Sequence, residues 1–304
     1  MNTPPYLKKG DTVAITCPAK YLPGDINQAV KLLESWGLTV LLGETVTARC
    51  NQYAGNDELR LKDFQGFLND KNVKAIFAAR GGYGTIRIID KLNFSEYTAH
   101  PKWIIGFSDI TVLHSHIHAN YGIQTIHGQM PLTIPDSTKP ALETLRKALF
   151  GEQFNYEYSC ELPNKPGTTE GILIGGNLTL IMMMSGSISE MDFTDKILFI
   201  EDVGEYYYSI DRMMWNLKRS GQLAKLKGLI VGAFTELKDY DTPFGKSAEE
   251  IILEHVTEYN YPVCFNFPAG HIDDNKVLIF GKEATLVVDA FQVSIGYTEK
   301  THKF

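Results

Sequence analysis

The chain has 304 residues, 44% hydrophobic and 21% charged, the balance of a globular protein with a real core. Its formal net charge of -7 offers no basic stripe to neutralise phosphates, so nucleic acid is not expected as a partner and a small soluble substrate is. The first residues lack the apolar core of a secretion signal, and no run approaches the roughly 20 apolar residues that span a bilayer.

Cys17, Cys50, Cys160 and Cys264 are scattered, with no C-x-x-C pair, which speaks against a zinc knuckle or redox dithiol. Such cysteines suit a reducing compartment, so a cytoplasmic protein with no membrane partner is expected. The length suggests two domains.

In chain order, Thr12–Cys17 reads as an apolar strand, and Asp25–Trp36 as a helix with Ile26, Ala29, Val30 and Leu33 on one face, stopped by Gly37. Thr39–Leu42 is the next strand, Asp57–Leu68 a helix, and Val73–Ala79 a strand. A short helix is predicted over Thr85–Leu92, a strand over Trp103–Phe107 and a helix over Ile110–Ala119. This alternation predicts right-handed crossovers and a mainly parallel sheet, with a ligand site beyond the strands' carboxyl ends. Residues 151–169 break the rhythm with prolines and a glycine, and read as a linker between domains 1–150 and 170–304. Beyond it, Lys196–Ile200 and Gly228–Phe234 read as strands, and Ser209–Arg219 and Ser247–Tyr259 as helices. Val277–Phe280 and Ala284–Val288 read as a hairpin pair.

Three constellations can carry chemistry. In Gly106-Phe107-Ser108-Asp109, a strand ends and a helix begins at once. A serine at such a corner is pushed out at the top of the sheet, beside free backbone donors. The alternative is that Ser108 merely caps the helix. In Arg80-Gly81-Gly82-Tyr83-Gly84, three glycines let the backbone turn N–H groups toward an oxyanion, or simply make a tight turn. Glu201 and His271 each follow an apolar run. A serine nucleophile needs a histidine base, and that base an acceptor to fix its tautomer. Read alone, Glu201 is equally a solvated strand end and His271 a loop residue.

Other features are weaker. His114 and His118 share a helical face, but no carboxylate completes a metal site. Met182–Met184 reads as core filling, and Tyr206–Tyr208 as a pocket wall.

Taken together, RGGYG (80–84), GFSD (106–109), GGNL (175–178), EDVGE (201–205), IDRM (210–213) and PAGH (268–271) resemble the LD-carboxypeptidase family of serine peptidases, which includes the microcin-C-immunity peptidases. The resemblance implies a Rossmann-like, glutamine-amidotransferase-like α/β N-terminal domain and a smaller β-rich α/β C-terminal domain. It implies a triad of Ser108, Glu201 and His271 in the cleft between them, and an oxyanion hole from the N–H groups of Gly82 and Asp109. Substrate contacts are expected at Arg80, Tyr83 and Asn177, with Arg80 or Arg87 as the cation for the substrate carboxylate. No metal or organic cofactor is expected, and a homodimer is. The implied reaction releases D-alanine from a cytoplasmic murein tetrapeptide during cell-wall recycling. The rivals are cleavage of an aminoacyl-nucleotide amide and a non-catalytic binding protein on the same fold.

Overall fold

The computed structural model describes residues 1–297. Its first half runs β1 (Thr12–Thr16), α1 (Asn27–Ser35), β2 (Thr39–Leu42), α2 (Asp57–Asn69), β3 (Val73–Ala78), α3 (Ser95–Ala99), β4 (Trp103–Gly106), α4 (Thr111–Tyr121), β5 (Thr125–His127) and α5 (Lys139–Phe150). Helix starts are chemically specified. The Asn56 side chain accepts the Leu59 N–H at the start of α2, with Asp57 and Glu58 in its first turn, and Thr138 accepts from Ala141 at the start of α5. Strands β1 to β5 are mutually parallel, and β1, β3 and β4 are almost wholly buried, as in a sheet covered on both faces. From β1 the chain first adds β2 on one side and then β3 on the other. The carboxyl ends of β1 and β3 therefore flank the point where such sheets bind ligands.

The second half contributes β6 (Asn155–Ser159), β7 (Gly167–Asn177), α6 (Leu178–Met183), β8 (Lys196–Val203), α7 (Tyr207–Arg219), β9 (Gly228–Thr235), α8 (Ala248–Val256), β10 (Val263–Cys264), β11 (Leu278–Phe280), β12 (Glu283–Val288) and β13 (Gln292–Tyr297). Among the described residues this gives a second sheet in the order β10-β9-β8-β7-β12-β13-β6. It is parallel from β7 to β10 and antiparallel elsewhere.

Three expectations change. The 151–169 stretch is not a bare linker, because β6 lies within it and pairs with β13. Thr85–Leu92 is not a continuous helix but two short 3₁₀ turns, Thr85–Arg87 and Ile89–Lys91. Its isoleucines at 86, 88 and 89 are poor helix formers. Val277–Phe280 and Ala284–Val288 are not hairpin partners. β11 crosses to the first sheet and pairs antiparallel with β5, while Gly281, at φ 85°, turns the chain back so that β12 pairs with β7 and β13. The crossing is stabilised from both sides. Ile279 is buried in the core of the first sheet, and Leu278 and Phe280 in that of the second.

Candidate active site

Ser108 sits at the corner between β4 and α4, in a 3₁₀ turn spanning Ser108–Ile110. Its φ is 62°, a left-handed conformation that costs a non-glycine residue about 1 kcal/mol or more. The helix-cap alternative is not realised. Phe107 and Ile110 occupy the N-cap positions, and neither start carries a side-chain cap hydrogen bond. The strain instead turns the serine out of the strand, as at a nucleophile elbow. His114, six residues on, hydrogen-bonds the Gly106 carbonyl at 2.9 Å and fixes the approach to the corner.

The glycine-rich loop after β3 packs against this corner. A Cβ on Gly81 would lie 2.9 Å from Ser108 Cβ and 3.3 Å from the Asp109 nitrogen, so only glycine lets the two backbones meet. The Thr85 N–H donates to Asp109 Oδ2 at 2.9 Å and ties the far end of the loop to the residue after the serine. Burial raises the Asp109 pKa, against the lowering pull of Thr85 and Gly84. Gly82, at φ 109°, lies beneath Lys20: a Cβ there would fall 2.5 Å from Lys20 Cδ.

Glu201, near the carboxyl end of β8, and His271, beyond the carboxyl end of β10, meet at one edge of the second sheet, where β8 to β10 run parallel. In the pairing of β8 with β9, the two steps from Ile200 to Asp202 match the three steps from Val231 to Phe234, so Glu201 faces a bulge in β9. Such bulges bend the strand that carries them and recur next to active sites. His271 Nδ1 lies 2.7 Å from Glu201 Oε2, with the glutamate side chain fully buried and the imidazole 21% exposed. Gly270, at φ 120°, makes the approach possible, since a Cβ there would stand 2.9 Å from Glu201 Oε2. Burial alone would lower the His271 pKa. The Glu201 hydrogen bond, with the charges of Glu201, Asp202 and Glu236, outweighs it and holds the pKa above the ordinary value. The Phe107 ring packs edge-on to His271, with centroids 5.0 Å apart, so the loop carrying His271 meets the elbow of Ser108. At the same seam, the Asn177 N–H donates to Thr111 Oγ1 at 3.0 Å.

The remaining expected contacts divide. Arg80 is half-buried and donates to the Tyr21 carbonyl at 2.8 Å. Arg87 is a poor carboxylate receptor, because Asp57 already holds it bidentately. Tyr83 is exposed at the loop tip. Asn177 is buried, its amide nitrogen donating to Asp202 Oδ1 at 2.8 Å and its oxygen capping α6 through the Leu180 N–H. Both ends of that side chain are thus committed within the protein. Two histidines of α4 have separate partners, His114 the Gly106 carbonyl and His116 Ser189 Oγ at 2.8 Å, and no group of metal ligands forms among the described residues. The rings of Tyr206 and Tyr208 both stack on Tyr240.

Two supporting residues escaped the sequence reading. Asp202 accepts from Asn177 and from both the backbone and hydroxyl of Thr179. Its pKa is pushed up to about 6 by burial and then by Glu201. Buried Asn275 accepts the Gly270 N–H at 2.9 Å and so fixes the loop before His271. Only the side chain's reach back across five residues shows this.

Residues 13–128 match the LD-carboxypeptidase N-terminal domain family, and residues 170–286 the LD-carboxypeptidase C-terminal domain family. The chain is 37% identical over 289 residues to the probable murein peptide carboxypeptidase of Bacillus subtilis (strain 168), covering 93% of this chain and 91% of that one. It is 32% identical over 288 residues to the murein tetrapeptide carboxypeptidase of Pseudomonas aeruginosa, covering 90% and 92%. Among solved structures, the muramoyltetrapeptide carboxypeptidase from Oxalobacter formigenes aligns with a TM-score of 0.86 at 29% identity, over 95% of this chain and 99% of that one. MccF in complex with glutamyl sulfamoyl guanosine shares the fold, with a TM-score of 0.85 at 21% identity over 96% and 98%.

Proposed function

Because the chain belongs to the LD-carboxypeptidase family of serine peptidases, we propose that it hydrolyses the L,D-peptide bond that releases terminal D-alanine from a murein tetrapeptide. The relatives named for murein peptide and tetrapeptide substrates, matched over nine-tenths of their length, support the substrate class. The observation that carries the chemistry is the buried Glu201–His271 hydrogen bond beside a serine held at positive φ.

In this reading Glu201 accepts from His271 Nδ1–H, which leaves Nε2 unprotonated as the base. His271 takes the Ser108 proton as Oγ attacks the carbonyl of the L-configured residue. The oxyanion is met by the N–H groups of Gly82 and Asp109, in the loop and elbow that Gly81 lets pack together. Losing one such donor typically costs about 10²–10³ in turnover. The imidazolium then protonates the departing D-alanine amine, and water hydrolyses the acyl-enzyme by the reverse sequence. The cycle, as written, is complete without a metal or organic cofactor. Among the described residues all four cysteines are free thiols and no helix is long and apolar enough to cross a membrane, in keeping with a cytoplasmic recycling role.

Incubation with L-Ala-γ-D-Glu-meso-diaminopimelate-D-Ala, read by mass spectrometry beside Ser108→Ala, tests this. The wild type is expected to release D-alanine and the variant to lose about 10⁶-fold in turnover. Equal release by both sinks the mechanism, and cleavage of an aminoacyl-nucleotide amide alone replaces the substrate.

A further inference from the structure

A carboxypeptidase differs from other serine peptidases in having to recognise a free carboxylate next to the bond it cuts. In a C-terminal D-alanine, the carboxylate carbon lies no more than about 4 Å from the scissile carbonyl carbon. A receptor for it must therefore sit beside the oxyanion loop. The cations on that side of the site are mostly engaged. Arg60 is buried and donates to the Pro18 and Gly84 carbonyls, Arg87 is held by Asp57, and Arg80 donates to Tyr21.

Lys20 differs. It lies just past the carboxyl end of β1, in a loop held by the Ala54 N–H on the Ala19 carbonyl and the Tyr21 N–H on the Gln52 carbonyl. Its methylenes run across Gly82, with Cδ, Cγ and Cε 2.5, 2.7 and 3.1 Å from where a Cβ would stand. The neighbouring Gly81 stands in the same relation to Ser108, whose Oγ is 3.1 Å from its Cβ position. The glycine pair is thus wedged between the serine and the lysine. Among the described residues the Lys20 ammonium makes no hydrogen bond or ion pair. The His271 side of the cleft carries the negative charges of Glu201, Asp202 and Glu236, which repel a carboxylate.

We propose that Lys20 is the cation that receives the terminal carboxylate of the substrate, setting the enzyme's preference for a free C-terminus. The proposal rests on the carboxypeptidase reading above. The carboxylate lies over Gly82 against the ammonium, and the rest of the peptide runs toward the acidic side.

The test compares kcat/KM for the tetrapeptide with that for its C-terminal D-alaninamide counterpart, in the wild type and in Lys20→Met, Lys20→Arg and Arg80→Met. Labelling of Ser108 by a fluorophosphonate verifies that each variant keeps its elbow. Lys20→Met is expected to lower the acid-to-amide ratio about 10- to 100-fold, the range for one charged hydrogen bond, mainly through KM. Lys20→Arg is expected to restore most of it. An unchanged ratio in Lys20→Met, or a collapse in Arg80→Met instead, overturns Lys20 alone. A wild type that labels but releases neither D-alanine nor its amide overturns the carboxypeptidase reading and Lys20 with it.

Discussion

Replacing Glu201 by Gln keeps the shape of the site and removes one charge. The carboxylate is fully buried and lies 2.7 Å from His271 Nδ1, which at ordinary bond lengths puts the two charge centres roughly 4 Å apart. At an effective dielectric of about 20, the lost attraction is about 4 kcal/mol, or roughly 10³-fold in the step that charges His271. The amide can also donate to Nδ1 and favour the wrong tautomer, and the analogous change in other serine peptidases costs about 10⁴-fold. A fall in kcat/KM of about 10³–10⁴ is therefore expected, with little change in thermal stability. The pH profile gives a sharper test. In the proposed mechanism His271 acts as a base when neutral, so activity should rise as pH climbs through its pKa. Glu201 holds that pKa above the ordinary value against burial. Without it burial prevails, so the acidic limb of kcat/KM should move to lower pH even as the plateau drops. D-alanine release followed from pH 5 to 9 reads both quantities. A limb that stays put or moves up, or a loss under about 10-fold, refutes the assignment of Glu201.

Other expectations are equally direct. Gly81→Ala drives a methyl to within 3.1 Å of Ser108 Oγ, so turnover should fall about 10²-fold while the protein still folds, checked by kinetics and thermal melts. Ser108→Gly should be about 1 kcal/mol more stable than Ser108→Ala in denaturant titrations, both being inactive, because only glycine is unstrained at φ 62°. Equal stability would mean that the corner is relaxed. Burial holds His114 and His118 at about 4. With folded pKa values depressed, the unfolded chain binds more protons, so their stabilisation is complete above pH ~6.5 and is lost as pH falls toward 4. Each contributes up to about 3 kcal/mol, and denaturant midpoints at pH 7 and 4.5 should converge in His118→Gln relative to the wild type.

Ser108 shows what the sequence can carry. Its strand-turn-helix setting is written in consecutive residues, and so is the glycine loop before it. What local pattern leaves open is whether the serine caps the helix, and the answer, that it does not, lies in a backbone torsion that no residue type dictates. Glu201 and His271 are 70 residues apart, and alone one passes for a solvated strand end and the other for a loop residue. Motif order joins them; the glycine before His271, which leaves room for the Glu201 carboxylate, explains how they meet. Lys20 left no signal, because its relation to Gly82 exists only where the loops after β1 and β3 pack together. β11 was misread for a similar reason. An apolar run beside another looks like a hairpin, and only its alternate faces, matched to two different cores, send it to the other sheet.

That strand has a further consequence. Cut from the chain after residue 150, the first half would present β5 as an open edge, an invitation to pair with other copies and aggregate. The second half would carry an orphan apolar strand. Neither piece is expected to be soluble alone, whereas co-expressed fragments should find each other and recover activity. Ser108 and His271 are held in register by a hydrogen-bonded seam rather than a hinge.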